Sequence, residues 1–379
     1  MRQIFCLLLL TMNFCDPVKD IEPPPFYTFL FGVGQSSRVG IVSSDLGPAG
    51  RFSTMTEDGV SVAGAYTNIH SDAVAFYYNS KVYVLNRLNR DNLQILNPNL
   101  ANLTENEFSL GARSNPHGIA FISETQAYIS LYGEARILSV NPQAAQITAS
   151  IDLSPYADAD GIPEVSGLLL HDGRLYAAVQ RLDRNNPTSI WPPADYSLLL
   201  EIDISTNVIV ATYQTQATNP RGKLFLVTLS GEPHIVFAAS GFSGSSFRLD
   251  GGVEAFNLNR KEFLPRFLYT EQIAAGDILN VVIKNDTVGY ANVMFQDFSS
   301  AIQRFNPSTG EKNADLAFYP ASTGFVSGML LAPNGYLYVG DASFETPGVM
   351  IYNTNQNDAR LLPSPVNIGL RPTDLIWIP

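Results

Sequence analysis

Residues whose side chains can bind ligands or move protons recur along this sequence, each at the start of a short apolar run. An imidazole there can act as a general base or metal ligand, and a guanidinium can hold a carboxylate or carbonyl group. The residues in this position are Asp72, His117, Ser166, Arg221, Asp277, Ser327 and Thr373. We expect them to bind a ligand, or a metal through Asp72, His117 and Asp277. The alternative is a set of polar side chains that are merely solvated.

Two other stretches share a second pattern, an amide followed by Arg-Leu-x-Arg. They are NRLNR at 86–90 and QRLDR at 180–184, each at the end of an apolar run. Arginine offers a rigid fork of donors that suits carboxylate and carbonyl groups. We therefore expect a ligand to contact Asn86, Arg87, Gln180 and Arg181. In the alternative interpretation, Arg87 and Arg181 pair with Asp72 and Glu164 and hold loops in place.

An acidic stretch lies just before the run that begins at Ser166. Its carboxylates Asp158, Asp160 and Glu164 have a spacing that suits Ca²⁺ together with backbone carbonyl oxygens. The stretch is not a full twelve-residue EF-hand loop, so a plain acidic turn is the competing interpretation. Glu164 is also a candidate ligand-binding residue. The sequence contains no G-x-S-x-G elbow, H-E-x-x-H motif or P-loop.

The elements that must position these residues are short β-strands. Residues 113–153 contain four apolar runs, HGIAFIS, QAYISLYG, ARILSVNP and QITASIDL, rich in β-branched and aromatic residues and bounded by Asn, Pro, Gly or Glu. Such a succession predicts a four-stranded antiparallel sheet. A strand that ends beside the start of its partner would place the NRLNR and QRLDR patterns next to the residues that begin the inner strands.

The four-strand unit recurs along the chain. Counted at the third residue of each inner strand, the spacing runs from 45 residues, between Ala73 and Gly118, to 56 residues, between Gly222 and Ile278. Propeller repeats are about 40–50 residues long, so the longer spacings indicate loop insertions. Seven inner strands predict an all-β, seven-bladed β-propeller of four-stranded antiparallel blades. We expect Thr373–Pro379 to close the ring as the inner strand of the first blade, paired with residues 26–33.

The N-terminus has the pattern of a leader. Arg2 precedes an apolar run from Ile4 to Met12 that is too short to span a bilayer. Residues 1–15 are therefore predicted to be a signal peptide, which ends at Cys15 in a position that resembles the lipid-modified cysteine of bacterial lipoproteins. Simple secretion without lipid is the alternative. Residues 16–25 are predicted to be a proline-rich tether, and residues 26–379 a single propeller domain.

The composition narrows the classes of partner. The net charge of −12 argues against a nucleic-acid ligand, because an acidic surface repels phosphates. The only cysteines, Cys6 and Cys15, lie in the predicted leader, so the mature domain has no disulfide or thiol nucleophile.

Units such as NPHGIAFISETQAYISLYGEARILSVNP at 115–142 resemble the YVTN-type, YncE-like β-propeller repeats of bacterial secreted and surface proteins. Residues 70–96 and 158–186 are also similar to bacterial lipoprotein propellers of unassigned function. The resemblance covers about residues 26–379. It implies the fold and a place outside the cytoplasm, secreted, periplasmic or lipid-anchored to the cell envelope, and it implies no activity.

Two functions remain open at this point. The first is a non-enzymatic module that binds a protein, peptide, glycan or small molecule, or organises an envelope complex, through the loops around the channel. The second is a lactonase-like hydrolase, suggested by the similar fold of lactonase propellers. In it His117 would be the base, Arg87 and Arg181 would stabilise the oxyanion, and a divalent cation such as Ca²⁺ could assist.

Overall fold

Seven antiparallel sheets make up the part of the chain that the computed structural model describes, residues 36–242 and 248–379. Blade 1 contains strands from both ends of that part, namely β1 (Arg38–Ser44), β2 (Ala49–Thr56), β3 (Thr67–His70) and β29 (Arg371–Ile378). Blade 2 contains β4 (Ala73–Tyr78), β5 (Lys81–Asn86), β6 (Asn92–Asn97) and β7 (Leu103–Ser109). Blade 3 contains β8 (Pro116–Ser123), β9 (Gln126–Leu131), β10 (Arg136–Asn141) and β11 (Gln146–Asp152).

The remaining four blades follow in chain order. Blade 4 contains β12 (Val165–His171), β13 (Arg174–Val179), β14 (Leu198–Asp203) and β15 (Val208–Gln214). Blade 5 has five strands, β16 (Pro220–Leu229), β17 (Glu232–Ala239), β18 (Gly252–Asn257), β19 (Glu262–Phe263) and β20 (Tyr269–Thr270). Blade 6 contains β21 (Asp277–Asn285), β22 (Val288–Met294), β23 (Ser300–Phe305) and β24 (Lys312–Tyr319). Blade 7 contains β25 (Val326–Leu331), β26 (Tyr336–Asp341), β27 (Gly348–Asn353) and β28 (Ala359–Arg360).

The inner strands contact one another in the ring order β4, β8, β12, β16, β21, β25, β29 and back to β4. This is the predicted seven-bladed propeller. Helical structure in the described residues is limited to a 3₁₀ turn at Ser154–Tyr156 and one short helix, α1 (Glu271–Ala274). No helix among the described residues is long and apolar enough to cross a membrane.

The ring closes through the C-terminal strand, as predicted, but with a different partner. Strand β29 pairs with β1, so that Leu375 lies opposite Ile41 and Trp377 opposite Val39. The expected partner, residues 26–33, lies outside the described residues. With residues 26–33 as the second strand, Arg38–Ser44 would be the third; Arg38–Ser44 is instead the second strand, and the outer position belongs to Thr67–His70, which is short and polar.

Burial explains why the strands have their compositions. A second strand such as β5 is buried along nearly its whole length, because its two faces pack against the two neighbouring blades. An outer strand such as β7 alternates between exposed and half-buried residues. Seven apolar clusters lie between adjacent blades, for example around Tyr128, Ile137, Leu168 and Leu200 between blades 3 and 4.

Buried tyrosines on the second strands also join the blades through hydrogen bonds. Tyr338 of blade 7 donates its hydroxyl to the carbonyl oxygen of Glu57 in blade 1 at 2.7 Å. Tyr128 of blade 3 donates to Asn207 of blade 4 in the same way. Each of these side chains therefore fills a core and also fixes its blade to the next one.

Candidate functional site

The start of each inner strand lies beside the end of the second strand on one face of the ring. Ala73 pairs with Asn86 in blade 2, Pro116 with Leu131 in blade 3, and Val165 with Val179 in blade 4. The antiparallel register therefore brings both groups of sequence candidates to the same mouth of the central channel.

Arg87 is the centre of the contacts in blade 2. Its Nη2 atom forms an ion pair with Asp72, and its Nη1 atom lies 3.3 Å from Nε2 of His117 in blade 3. Because a guanidinium can only donate, Nε2 of His117 is the acceptor in this contact. The pairing of Arg87 with Asp72 is the one that the loop-holding interpretation predicted.

His117 is held between Arg87 and an aromatic ring. Its imidazole stacks on Tyr132, with the ring centres 4.1 Å apart and the planes 11° apart. Burial lowers the pKa of His117 well below its usual value, and the positive charges of Arg87 and Arg184 lower it further. His117 is therefore neutral at pH 7.

Tyr132, which was not among the residues predicted from the sequence, extends the network across two blades. Its hydroxyl donates to Oε1 of Gln180 at 2.6 Å, and Nε2 of Gln180 donates to the carbonyl oxygen of Pro220 in blade 5 at 2.8 Å. Tyr132 directly follows strand β9, just as Arg87 follows β5 and Gln180 follows β13. That equivalent position was the signal that could have found it.

Glu164 is buried beneath the long connection between β13 and β14. Its Oε2 atom accepts a hydrogen bond from the backbone N–H of Leu182 at 2.8 Å. Nε of Arg184 lies 2.6 Å from its Oε1 atom, an ion pair that is not aligned as a hydrogen bond. Burial raises the pKa of Glu164 to about 8, against the lowering effects of the Leu182 N–H and Arg184.

Arg184, not Arg181, joins Glu164 to the other mouth residues. Its Nη2 atom donates to the carbonyl oxygen of Tyr132 at 2.7 Å. The connected residues form what we call the mouth cluster: Asp72, Arg87, His117, Tyr132, Gln180, Glu164 and Arg184. Three blades contribute to it, and it covers one side of the channel mouth.

Arg221 and Asp277 lie farther along the same rim. Nη1 of Arg221 donates to Oγ of Ser240 at 3.4 Å. Asp277 is fully buried, and in the part of the chain that the structure describes neither of its carboxylate oxygens has a hydrogen-bond partner. Burial raises the pKa of Asp277 to about 6, while the charge of Arg221 opposes that rise.

The other rim residues bind backbone. The hydroxyls of Ser166, Ser327 and Thr373 donate to the carbonyl oxygens of Ala178, Gly340 and Val42, respectively. These three residues support the strands, and the charged candidates are concentrated in blades 2 to 6.

A lysine on an inner strand contacts the inner strands of two other blades. Nζ of Lys223 contacts both carboxylate oxygens of Asp374, at 2.9 and 2.7 Å, and the carbonyl oxygen of Ala75 at 3.0 Å. These residues come from the inner strands of blades 5, 1 and 2, so the contacts cross the channel. We call this group the channel floor. We call the space bounded by the mouth cluster and the channel floor the bowl.

Two predicted ligand-binding residues point elsewhere. Asn86 is buried inside blade 2, where its amide donates to Asn92 and Gln94 at 2.8 and 3.0 Å. Arg181 turns away from the bowl and stacks on Tyr196, with its guanidinium carbon 3.9 Å from the ring centre.

The acidic stretch behaves as a turn. Asp160 accepts hydrogen bonds from the backbone N–H groups of Ile162 and Arg184, at 2.8 and 3.0 Å. Within residues 36–242 and 248–379, no group of three or more His, Cys, Asp or Glu side chains is arranged to hold a metal ion. A Ca²⁺ site at Asp158, Asp160 and Glu164 stays a prediction that none of these contacts supports. Cys15, the predicted lipidation site, lies outside the described residues.

No protein-family model matches the chain, and no curated protein matches it by sequence. Solved structures do match. A Lactobacillus plantarum protein has 10% identity and a TM-score of 0.62, covering 91% of this chain and 100% of that one. A periplasmic gluconolactonase of Pseudomonas aeruginosa has 11% identity and a TM-score of 0.60, covering 90% and 99%. A Bacteroides fragilis protein provisionally assigned as a 6-phosphogluconolactonase has 14% identity and a TM-score of 0.55, covering 92% and 99%.

The chain shares the fold of these bacterial propellers. Identities this low show the fold alone, so the resemblance to YncE-like repeats and the lipoprotein leader stay predictions.

Proposed function

We propose that this chain is an extracytoplasmic propeller that binds a ligand in the bowl at its channel mouth. The observation that carries the proposal is the mouth cluster, in which side chains from three blades are joined by contacts. Such a cluster holds its polar groups in place before a ligand arrives, which reduces the ordering cost of binding.

The chemistry of the cluster favours binding over catalysis. His117, the candidate base, has a depressed pKa, and its Nε2 atom faces Arg87. A base of that kind takes up a proton weakly at neutral pH. Arg87 uses two of its terminal nitrogens on Asp72 and His117, and a guanidinium has five N–H donors. It can therefore hold its neighbours and still donate to a ligand.

The extracytoplasmic location is part of the proposal. The predicted leader supports it, and so does the similarity of the fold to that of a periplasmic gluconolactonase. The partner classes stay those of the sequence analysis, namely a protein, peptide, glycan or small molecule.

A thermal-shift screen tests the binding proposal. The purified chain is screened with monosaccharides, sugar acids, their lactones, amino acids and short peptides. Each stabilising compound is then titrated into Arg87→Gln and His117→Gln, with Ser166→Ala as the control at an equivalent strand start. We expect affinity to fall at least tenfold in the first two variants and to stay unchanged in the control. Compounds that bind all variants equally would place the site elsewhere.

A lactonase-like hydrolase is the second candidate, and one observation favours it. Asp277 is a buried carboxyl group whose two oxygens have no hydrogen-bond partner among the described residues. Its pKa of about 6 is near the range in which a group can exchange protons at neutral pH. In this candidate His117 or Asp277 removes the proton from water, and Arg87 and Arg221 stabilise the developing negative charge.

A pH-indicator assay with D-glucono-1,5-lactone and related lactones distinguishes the two candidates. Hydrolysis above the uncatalysed rate that is lost in His117→Gln or Asp277→Asn would establish the hydrolase. Binding of the same lactones without turnover would leave the chain as a binding protein. Dialysis against a chelator, followed by the same measurements with and without Ca²⁺, tests the predicted cation.

A further inference from the structure

A second depression lies on blade 4, on the same face as the mouth. It is formed by the connection before β12 and by the long insertion between β13 and β14, and its volume is about 540 Å³. We call it the blade-4 depression. Its lining includes Asp158, Arg181, Asn186, Pro193, Asp195 and Tyr196.

Its wall combines a flat aromatic surface with hydrogen-bond donors and acceptors. The guanidinium of Arg181 stacks on Tyr196, and its Nη1 atom donates to the carbonyl oxygen of Tyr196 at 3.0 Å. This stack fixes the orientation of Tyr196, whose side chain remains partly exposed beside Pro193. Stacked aromatic and proline rings form an apolar platform at little entropic cost, because few torsions have to be frozen.

The polar groups are partly free. Asp195 makes no hydrogen bond or ion pair within residues 36–242 and 248–379. The Asp158 carboxylate accepts a long hydrogen bond, 3.3 Å, from the backbone N–H of Asp160. Burial raises the pKa of Asp158, so this group gives up its proton less readily than a free aspartate. The depression therefore offers acceptors at Asp158 and Asp195 and donors at Arg181 and Asn186.

We propose that the blade-4 depression is a binding site for a neutral saccharide, separate from the bowl at the channel mouth. A hydroxyl group both donates and accepts hydrogen bonds, so a sugar ring can satisfy Asp195 and Arg181 together. The C–H face of the sugar would pack on Tyr196 and Pro193. This site does not depend on whether the mouth binds a ligand.

Charge argues against an anion, which would meet Asp158, Asp183 and Asp195 in the depression. A neutral ligand avoids this repulsion and can still accept a hydrogen bond from Arg181. A short peptide could also fill the space, and the experiment treats it as the competing outcome.

The test is an array of immobilised neutral oligosaccharides together with neutral and basic peptides, probed with the purified chain. Each positive ligand is then titrated into variants. Asp195→Ala removes a free carboxylate from the exposed rim and leaves the packing unchanged, and Tyr196→Ala removes the platform. Tyr66→Ala is the matched control, because Tyr66 is also an exposed tyrosine under an arginine, with the Arg51 guanidinium 4.1 Å from its ring centre.

We expect saccharide affinity to fall about tenfold in Tyr196→Ala and severalfold in Asp195→Ala, with Tyr66→Ala and His117→Gln unchanged. A loss in His117→Gln with none in Asp195→Ala would assign the saccharide to the mouth and overturn the proposal. Binding of peptides alone, or of nothing on the array, would also overturn it. If Tyr196→Ala does not fold, Asp195→Ala decides the question.

Discussion

The channel floor allows a quantitative test of the fold at its centre. Lys223→Met keeps the length of the side chain and removes its charge. The substitution leaves the Asp374 carboxylate without its cation and the Ala75 carbonyl oxygen without its Nζ donor. It also removes the ammonium that lies 4.8 Å from the ring centre of Phe76.

The expected loss of stability follows from the exposure of the two side chains. The side chains of Lys223 and Asp374 are 27% and 17% exposed, so the pair lies between a surface ion pair and a fully buried one. Surface pairs contribute about 0–1 kcal/mol, and breaking a buried pair costs about 3–5 kcal/mol. We therefore expect Lys223→Met to lower the free energy of unfolding by about 2 kcal/mol.

A double-mutant cycle separates the pair from other effects of the substitution. Asp374→Asn is the second arm, because an asparagine oxygen still accepts the hydrogen bond from the backbone N–H of Ala75. Urea unfolding of the single and double variants should give a coupling energy of about 1–2 kcal/mol. Arg90→Met is the control, because Arg90 and Glu107 form an ion pair whose side chains are 59% and 34% exposed. If Lys223→Met costs no more than Arg90→Met and the coupling is zero, this pair does not stabilise the contacts among the inner strands.

Three further changes test other joints of the structure. Tyr338→Phe removes the hydrogen bond from blade 7 to the Glu57 carbonyl oxygen. Urea unfolding should show that the free energy of unfolding falls by about 1 kcal/mol. An unchanged free energy would mean that this contact does not join the blades. Leu375→Ala opens a cavity beside the buried closing strand. It should lower the free energy of unfolding by about 2–5 kcal/mol and speed limited proteolysis. A loss below about 1 kcal/mol would contradict closure of the ring by this strand. The pKa of Glu164 rises from its ordinary 4.5 to about 8 in the folded chain, so the stability due to its bound proton is present below pH 4.5 and is lost as the pH rises through 8. The urea midpoint should therefore fall between pH 5 and pH 9, and it should fall less in Glu164→Gln; equal falls would refute this assignment.

The fold could be predicted because its signal is repeated. Each blade repeats the same succession of apolar runs that end at turn residues. A wrong strand assignment in one blade therefore does not change the predicted fold. The assignment of blade 1 was the exception. Its outer strand, Thr67–His70, has four residues and little apolar character, so neither length nor alternation marked it as a strand.

The site was predictable where strand register alone decides position. Arg87 and His117 follow from the ends and starts of strands, and they do meet. The choice between Arg181 and Arg184 depends on how the blade-4 insertion folds back, with the N–H of Asp183 donating to the carbonyl oxygen of Pro192. Spacing within QRLDR carries no information about that fold.

The direction of the Lys223 side chain could not be predicted from the alternation of residues along a regular strand. The pairing of β16 with β17 is interrupted between Arg221 and Phe225, and Gly222 has a φ of +69° in the left-handed region. This irregularity in the inner strand breaks the alternation of side chains. A strictly alternating strand therefore gives the wrong direction for Lys223.

The central claim is that His117 is held neutral and packed within a preassembled mouth cluster. ¹³C NMR of histidine-labelled protein tests it directly, because the chain has only four histidines and His117→Gln identifies the relevant resonance. We predict that the titration midpoint of His117 lies well below 6.5, chiefly because the ring is buried, and that it moves upward in Arg87→Gln, which removes a neighbouring positive charge. A wild-type midpoint at or above 6.5, the ordinary histidine value, would show a solvated imidazole and contradict the account.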